Sequence, residues 1–200
     1  MNSVPRITVE APVLSVGSGP SDYEGLARYV RALRRQKGLH LTLLHLGVLE
    51  DFARDICEWT KGMTSVAAAT GATVAWLDGL PVLDAFSGTA DRLIPLGGGR
   101  VSGLEVGVPE QVHEYQVRLV QALHELLDGL LVDNVDDFIL SSRALGYRSP
   151  HWTPHVAVGS PTAYGSGSWD IERLPIQFGP SRIRNRQSLL PGMPPGTPES

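Results

Sequence analysis

Leu39-His40-Leu41-Thr42-Leu43-Leu44-His45-Leu46-Gly47 is the stretch on which the fold turns. Its short length and its flanking glycines predict a strand. In a strand, residues i and i+2 point to one side, so His40 and Thr42 project together, about 6.6 Å apart along the chain at a rise of roughly 3.3 Å per residue. His45, at odd spacing from Thr42, is expected on the opposite side, in a packing or surface role.

Outward from this strand, elements alternate. Val9 to Val16 reads as a strand interrupted by Pro12. Ser21 and Glu24 resemble a capping box ahead of Leu26, Tyr29, Val30 and Leu33, which predicts a helix closed by Gly38. Leu49 to Met63 is expected to be helical, and Thr73 to Leu77, Arg92 to Leu96 and Val101 to Val108 read as strands, the last two joined by a turn at Gly97-Gly98-Gly99. The strongest helix begins at Pro109 and carries Val112, Tyr115, Leu119, Leu123, Leu126 and Leu130 at steps of three and four. An elongated loop around Gly129 to Pro150 precedes strands at His155 to Gly159 and Ile171 to Phe178. This order suits an α+β architecture of two similar halves. Residues 1–189 are read as one bilobal domain and residues 190–200, PGMPPGTPES with its preceding leucine, as a disordered Pro/Gly-rich tail.

Bulk composition narrows the function classes. A 200-residue chain with 42% hydrophobic residues can bury a sizeable core without staples. The single cysteine, Cys57, excludes an internal disulfide, and no Cys/His spacing suggests a zinc site, so no metal or cofactor is expected. With no basic-then-apolar leader and no apolar run of membrane-spanning length, the reading is a cytoplasmic protein with no membrane partner. A net charge of −4 argues against binding long duplex nucleic acid, which needs many cations on one face. A small or terminal nucleotide remains compatible, and a monomer is expected.

Chemistry concentrates at two places. An imidazole with an ordinary pKa of about 6.5 exchanges protons near neutrality, and a hydroxyl donates to a phosphoryl oxygen. Displacement at phosphorus needs a base on the attacking oxygen and an acid on the departing one, so two histidines suffice. Six histidines and ten threonines predict about 0.3 His-x-Thr matches by chance. Two occur, His40-Leu41-Thr42 and His151-Trp152-Thr153, but Pro154 disfavours a central strand at the second. His155-Val156-Ala157-Val158 has the better strand context, with His151 as its competitor. His113 and His124 are read as solvated on the long helix, and Arg28, Arg31, Arg34, Arg35 and Lys37 as the solvated outer face of a helix, the alternative being a cluster that steers an anionic substrate. Trp152 suits either stacking on a base or packing.

Leu39-His40-Leu41-Thr42-Leu43 with Leu46-Gly47, and Trp152-Thr153-Pro154-His155-Val156-Ala157-Val158, together resemble the two signatures of the 2H phosphoesterases, the superfamily of bacterial RNA 2′,5′-ligase-like proteins and 2′,3′-cyclic nucleotide phosphodiesterases. The resemblance implies an α+β fold of two pseudo-symmetric lobes, each an antiparallel sheet packed with helices, facing across a central cleft. It implies His40 and His155 as a metal-independent acid/base pair, Thr42 as a phosphate ligand, and a nucleotide, cyclic nucleotide or RNA end as substrate. Ala157 stands where the second signature has Thr or Ser. Thr153 or Ser160 would then replace the hydroxyl, with Trp152 beside them, or the substrate does without it. The remaining classes are a nucleotide-binding module without catalysis and a scaffold with structural histidines.

Overall fold

The computed structural model describes residues 6–145, 152–162 and 167–184. Eight strands and five helices follow in the order β1 (Ile7–Val16), α1 (Pro20–Glu24), β2 (Val30–Arg31), β3 (His40–Gly47), α2 (Leu49–Trp59), α3 (Val66–Asp78), β4 (Phe86–Leu96), β5 (Val101–Gly107), α4 (Glu110–Gly129), α5 (Val135–Ser141), β6 (His155–Pro161), β7 (Trp169–Phe178) and β8 (Arg182–Arg184). The fold is α+β, and every strand pairing among the described residues is antiparallel.

The ladder closes on itself. β3 pairs β1, β1 pairs β7, β7 pairs β4, β4 pairs β5, β5 pairs β6, and β6 returns to β3. β8 extends the ring at β1 and β2 extends it at β6. The return contact has a single register pair, Leu41 opposite Val156.

One side of this ring is hydrocarbon. Ile7, Val9 and Ala11 of β1, Leu41 and Leu43 of β3, Leu104 of β5 and Val156 of β6 are all buried. α2 and α4 pack against β3. α2 turns in Phe52, Ala53 and Ile56 while Glu50 and Asp51 occupy its first turn, where carboxylates favour the positive end of the helix dipole. It stops where Lys61 and Gly62 take left-handed backbone conformations, and the Gly62 N–H reaches back to the Cys57 carbonyl at 2.8 Å. Pro109 caps α4, whose buried stripe is Val112, Tyr115, Gln116, Leu119, Leu123 and Leu127. Gly47, at φ +79°, has no room for a Cβ because the Ala144 carbonyl lies against it.

Three expectations change. The helix expected from Ser21 is only one turn long, a 3-10 turn follows over Gly25–Arg28, and Val30 then pairs with Pro161 as an edge strand. Ser21 makes no cap, since Pro20 already starts the helix; Val30 is instead held by β6, where Gly159 leaves space for its Cγ1. Arg28, Arg31, Arg34, Arg35 and Lys37 therefore do not share a helix face. Arg28 lies over the Tyr29 ring, and the Arg31 Nε donates to the Pro161 carbonyl at 3.3 Å. Thr73 to Leu77 belongs to α3, not to a strand. Ser65 caps that helix by accepting from the Ala68 N–H, and the alanines at its start favour the helix. The stretch after Gly129 contains α5 rather than being all loop. The tail at 190–200 and His151 lie outside the described residues.

Candidate functional site

The other face of the ring is polar, and the strand register fixes what stands on it. The single β3–β6 bridge sets Leu41 opposite Val156, and continuing its antiparallel register by one residue each way sets His40 beside Ala157 and Thr42 beside His155. Cross-strand partners point to the same side, so both histidines lie on one face as diagonal neighbours, a spacing of roughly 7–8 Å. One row then crosses the sheet from Arg182 through Glu10, Thr42, His155 and Glu105 to Arg92. The row beside it runs from Pro12 through His40, Ala157 and Gly103 to Ile94.

Local symmetry relates the two histidine strands. Each histidine directs its Nδ1 to the carbonyl two residues earlier, His40 to Gly38 at 3.2 Å and His155 to Thr153 at 2.8 Å. A carbonyl only accepts, so the contact at His155 selects the Nδ1–H form and leaves Nε2 as the working nitrogen, whereas at His40 the Gly38 carbonyl shares Nδ1 with the Arg184 N–H at 3.4 Å and Nε2 faces a Glu10 oxygen at 3.5 Å. Each strand also carries one extra residue three positions past its histidine. Leu43 is passed over between the pairs Thr42–Glu10 and Leu44–Val9, and Val158 between Ala157–Gly103 and Gly159–Ser102. A pseudo-twofold between Leu41 and Val156 thus exchanges His40 with His155 and Thr42 with Ala157.

The bulge corrects the expectation for His45. The extra residue reverses the alternation, so His45 pairs with Thr8 and stands on the side of Thr42 and Glu10. Ser160 returns to the side of His155 by the same device. Burial, and secondarily the Arg6 charge, hold the His45 pKa below its ordinary value of 6.5. The unfolded chain then binds the proton more readily, so this residue penalises the fold increasingly as pH falls from about 6.5 toward the depressed value. Melting temperature is expected to drop across that window, and His45→Gln should flatten the drop; an identical pH profile in the variant would remove His45 as the cause.

Glu10 was not singled out from the sequence. Its side chain is 0% exposed. Oε1 accepts from Arg182 at 3.0 and 3.2 Å, while Oε2 is 3.5 Å from His40 Nε2 and 3.6 Å from Arg184 Nη1. Arg184 Nη1 also stands 3.4 Å from His40 Nδ1. Two signals pointed here: a lone carboxylate inside an apolar strand needs a partner, and Arg182-Ile183-Arg184 in extended form puts both cations on one side.

Trp152 is tied to the protein itself. Its indole N–H donates to the Thr42 carbonyl at 3.1 Å, where the β3–β6 ladder has no further rung, and its ring meets His113 at 5.5 Å, edge to face. His113 is therefore packed rather than freely solvated, and His124 lies 3.7 Å from Asp136. Thr153 is exposed and supplies its carbonyl to His155. A cavity of about 640 Å³ lies between α2 and α5 around Asp55, Trp59 and Arg143, away from both histidines. Among the described residues no group of three His, Cys, Asp or Glu side chains is placed to hold a metal ion, and no helix is long and apolar enough to cross a membrane.

Fold and face together define an antiparallel α+β protein with a paired-histidine surface. No family model and no curated protein matches the chain. Three solved structures are similar to it: TT0787 of Thermus thermophilus (TM-score 0.42, 13% identity, covering 90% of this chain and 84% of that one), a phosphoesterase (0.42, 13%, 89% and 96%) and LigT of E. coli in apo form (0.41, 14%, 89% and 95%). Overlap at this level leaves the chemistry to be argued from the side chains.

Proposed function

We propose that this chain is a 2H-type phosphoesterase acting by two-histidine acid/base catalysis on 2′,3′-cyclic phosphate ends or on related 2′-5′ or cyclic oligonucleotide phosphodiesters. The observation that carries the reading is the diagonal placement of His40 and His155 on one polar face, each with its Nδ1 occupied by a carbonyl. Proton acceptance and donation on opposite sides of one phosphorus then require no further group. For a cyclic phosphate, one imidazole takes a proton from water as its oxygen bonds to phosphorus. The bond from phosphorus to one ribose oxygen breaks, and the other imidazole supplies the proton that oxygen needs. Thr42, on the same face of β3 as His40, donates to a non-bridging oxygen. Net proton count is unchanged, and the two histidines end with exchanged protonation states.

The test is incubation, in excess chelator, with 2′,3′-cyclic mononucleotides, 2′-5′ dinucleotides and cyclic dinucleotides. Turnover of at least one class is expected. Ala157 favours a second reading, a nucleotide-binding module, because the pseudo-equivalent of Thr42 lacks a hydroxyl. Binding without turnover would select that module, and neither binding nor turnover would sink both readings.

If the enzyme is merely weakened by Ala157, Ala157→Thr is expected to raise kcat by about tenfold or more, the value of one hydrogen bond to a charged group felt in the transition state. An unchanged or lower rate would mean the alanine suits another substrate.

A further inference from the structure

The pseudo-twofold makes the two histidines equivalent, so whatever breaks it decides how a substrate lies. Three differences break it in the same direction. Thr42 has Ala157 as its counterpart. Glu10, beside Thr42, has Gly103, and Leu96 folds against Gly103 so closely that a Cβ there would collide with it. Beyond His40, the row through Ala157, Gly103 and Ile94 therefore offers no polar side chain.

The third difference is charge. At the β8 end of the polar face, Arg182 and Arg184 stand against the single carboxylate of Glu10. Two guanidiniums and one carboxylate leave one net positive charge. At the other end, Arg92 lies 3.5 Å from Glu105 and 3.6 Å from Asp170, one cation between two carboxylates, which leaves one net negative charge. A polyanion entering this face is steered toward β8 and away from β4.

We infer that Arg182 and Arg184 form a second anion subsite beside His40, which takes the phosphate attached to the 5′ oxygen of the nucleoside whose 2′,3′-phosphate is opened. This rests on the phosphoesterase reading and deepens it: the substrate is an oligonucleotide end, or a 5′-phosphorylated nucleotide, rather than a bare cyclic mononucleotide. The arginine side chains are 57% and 47% exposed, so they are open to a ligand. Arg182 spends only Nε and Nη2 on Glu10, and three of its five N–H groups stay unspent. The buried carboxylate holds this guanidinium in place, which reduces the ordering cost of binding, and a planar guanidinium matches a phosphate bidentately.

The experiment compares adenosine 2′,3′-cyclic phosphate with the same nucleotide carrying a 5′-phosphate, in steady-state kinetics and in direct calorimetric titration. The wild-type protein is expected to show kcat/KM at least tenfold higher for the 5′-phosphorylated form, with the gain in KM and shrinking as salt is raised. In Arg184→Gln the ratio between the two substrates should fall toward one; in Arg184→Lys, which keeps the charge, most of it should survive. A wild-type ratio near one, or a ratio unchanged in Arg184→Gln, overturns the subsite. Absence of turnover with both nucleotides would instead defeat the catalytic reading, and the titrations then decide the subsite by the same ratio, taken in Kd. Thermal melts of each variant show whether the fold is retained, and Arg182→Lys supplies a second folded probe should Arg184→Gln melt early.

Discussion

Replacing either His40 or His155 with alanine is expected to lower kcat by about 100- to 10,000-fold on whichever phosphodiester the wild-type protein turns over, the range that a positioned general acid or base contributes. The expectation is the same for both because each is asked for one half of the proton transfer from a like backbone setting: a strand start, an Nδ1 contact to the carbonyl two residues back, and a bulge three residues on. One imidazole supplies the base and its counterpart the acid, so losing one half disables the unit. The double variant should therefore fall little further than the worse single one. Stability should change little, since both side chains are partly exposed and the closest polar contact of each is to a backbone carbonyl. Activity retained in one variant would remove that residue from the mechanism, while additive losses would mean that the two act in separate steps.

How much of this was legible in the chain can be seen from particular residues. α4 was readable because its spacing of three and four persists from Val112 to Leu130, and β3 because it is a short, largely apolar run bounded by Gly38 and Gly47. Thr73 to Leu77 was a five-residue apolar window, which fits a buried helix and a buried strand equally well; the cap at Ser65 was the available arbiter. His40 and His155 were found by local pattern, and the ladder that brings them together could only be inferred from resemblance. The side taken by His45 turns on Leu43-Leu44, two adjacent apolar residues that break the alternation, and only the register with β1 shows that Leu43 is the extra residue there. Glu10 and Arg182 were hidden by distance: their partnership spans 172 positions, and only the pairing of β8 with β1 brings them into contact.

That same partnership sets the second large effect. Arg182→Met is expected to destabilise the protein by about 3 kcal/mol, near the lower end of the loss caused by leaving a buried charge without its partner. The carboxylate of Glu10 has no exposure, so it cannot recover by turning to water; what remains near it is Arg184 at 3.6 Å and His40 at 3.5 Å, neither within good hydrogen-bonding distance. The reverse change is milder. Glu10→Gln leaves Arg182 and Arg184, each about half exposed, free to hydrate, and should cost about 1 kcal/mol. The two losses should not add. In Glu10→Gln the methionine at 182 no longer strands a charge, so the double variant should be about as stable as Glu10→Gln alone. Urea melts of the four proteins measure this directly, and for a chain of this size the Arg182→Met deficit corresponds to a melting temperature lower by roughly 6–12 °C. Equal and additive losses would mean that the arginine contributes packing along its methylene stem, and that the buried carboxylate is held by something other than the cation at Oε1.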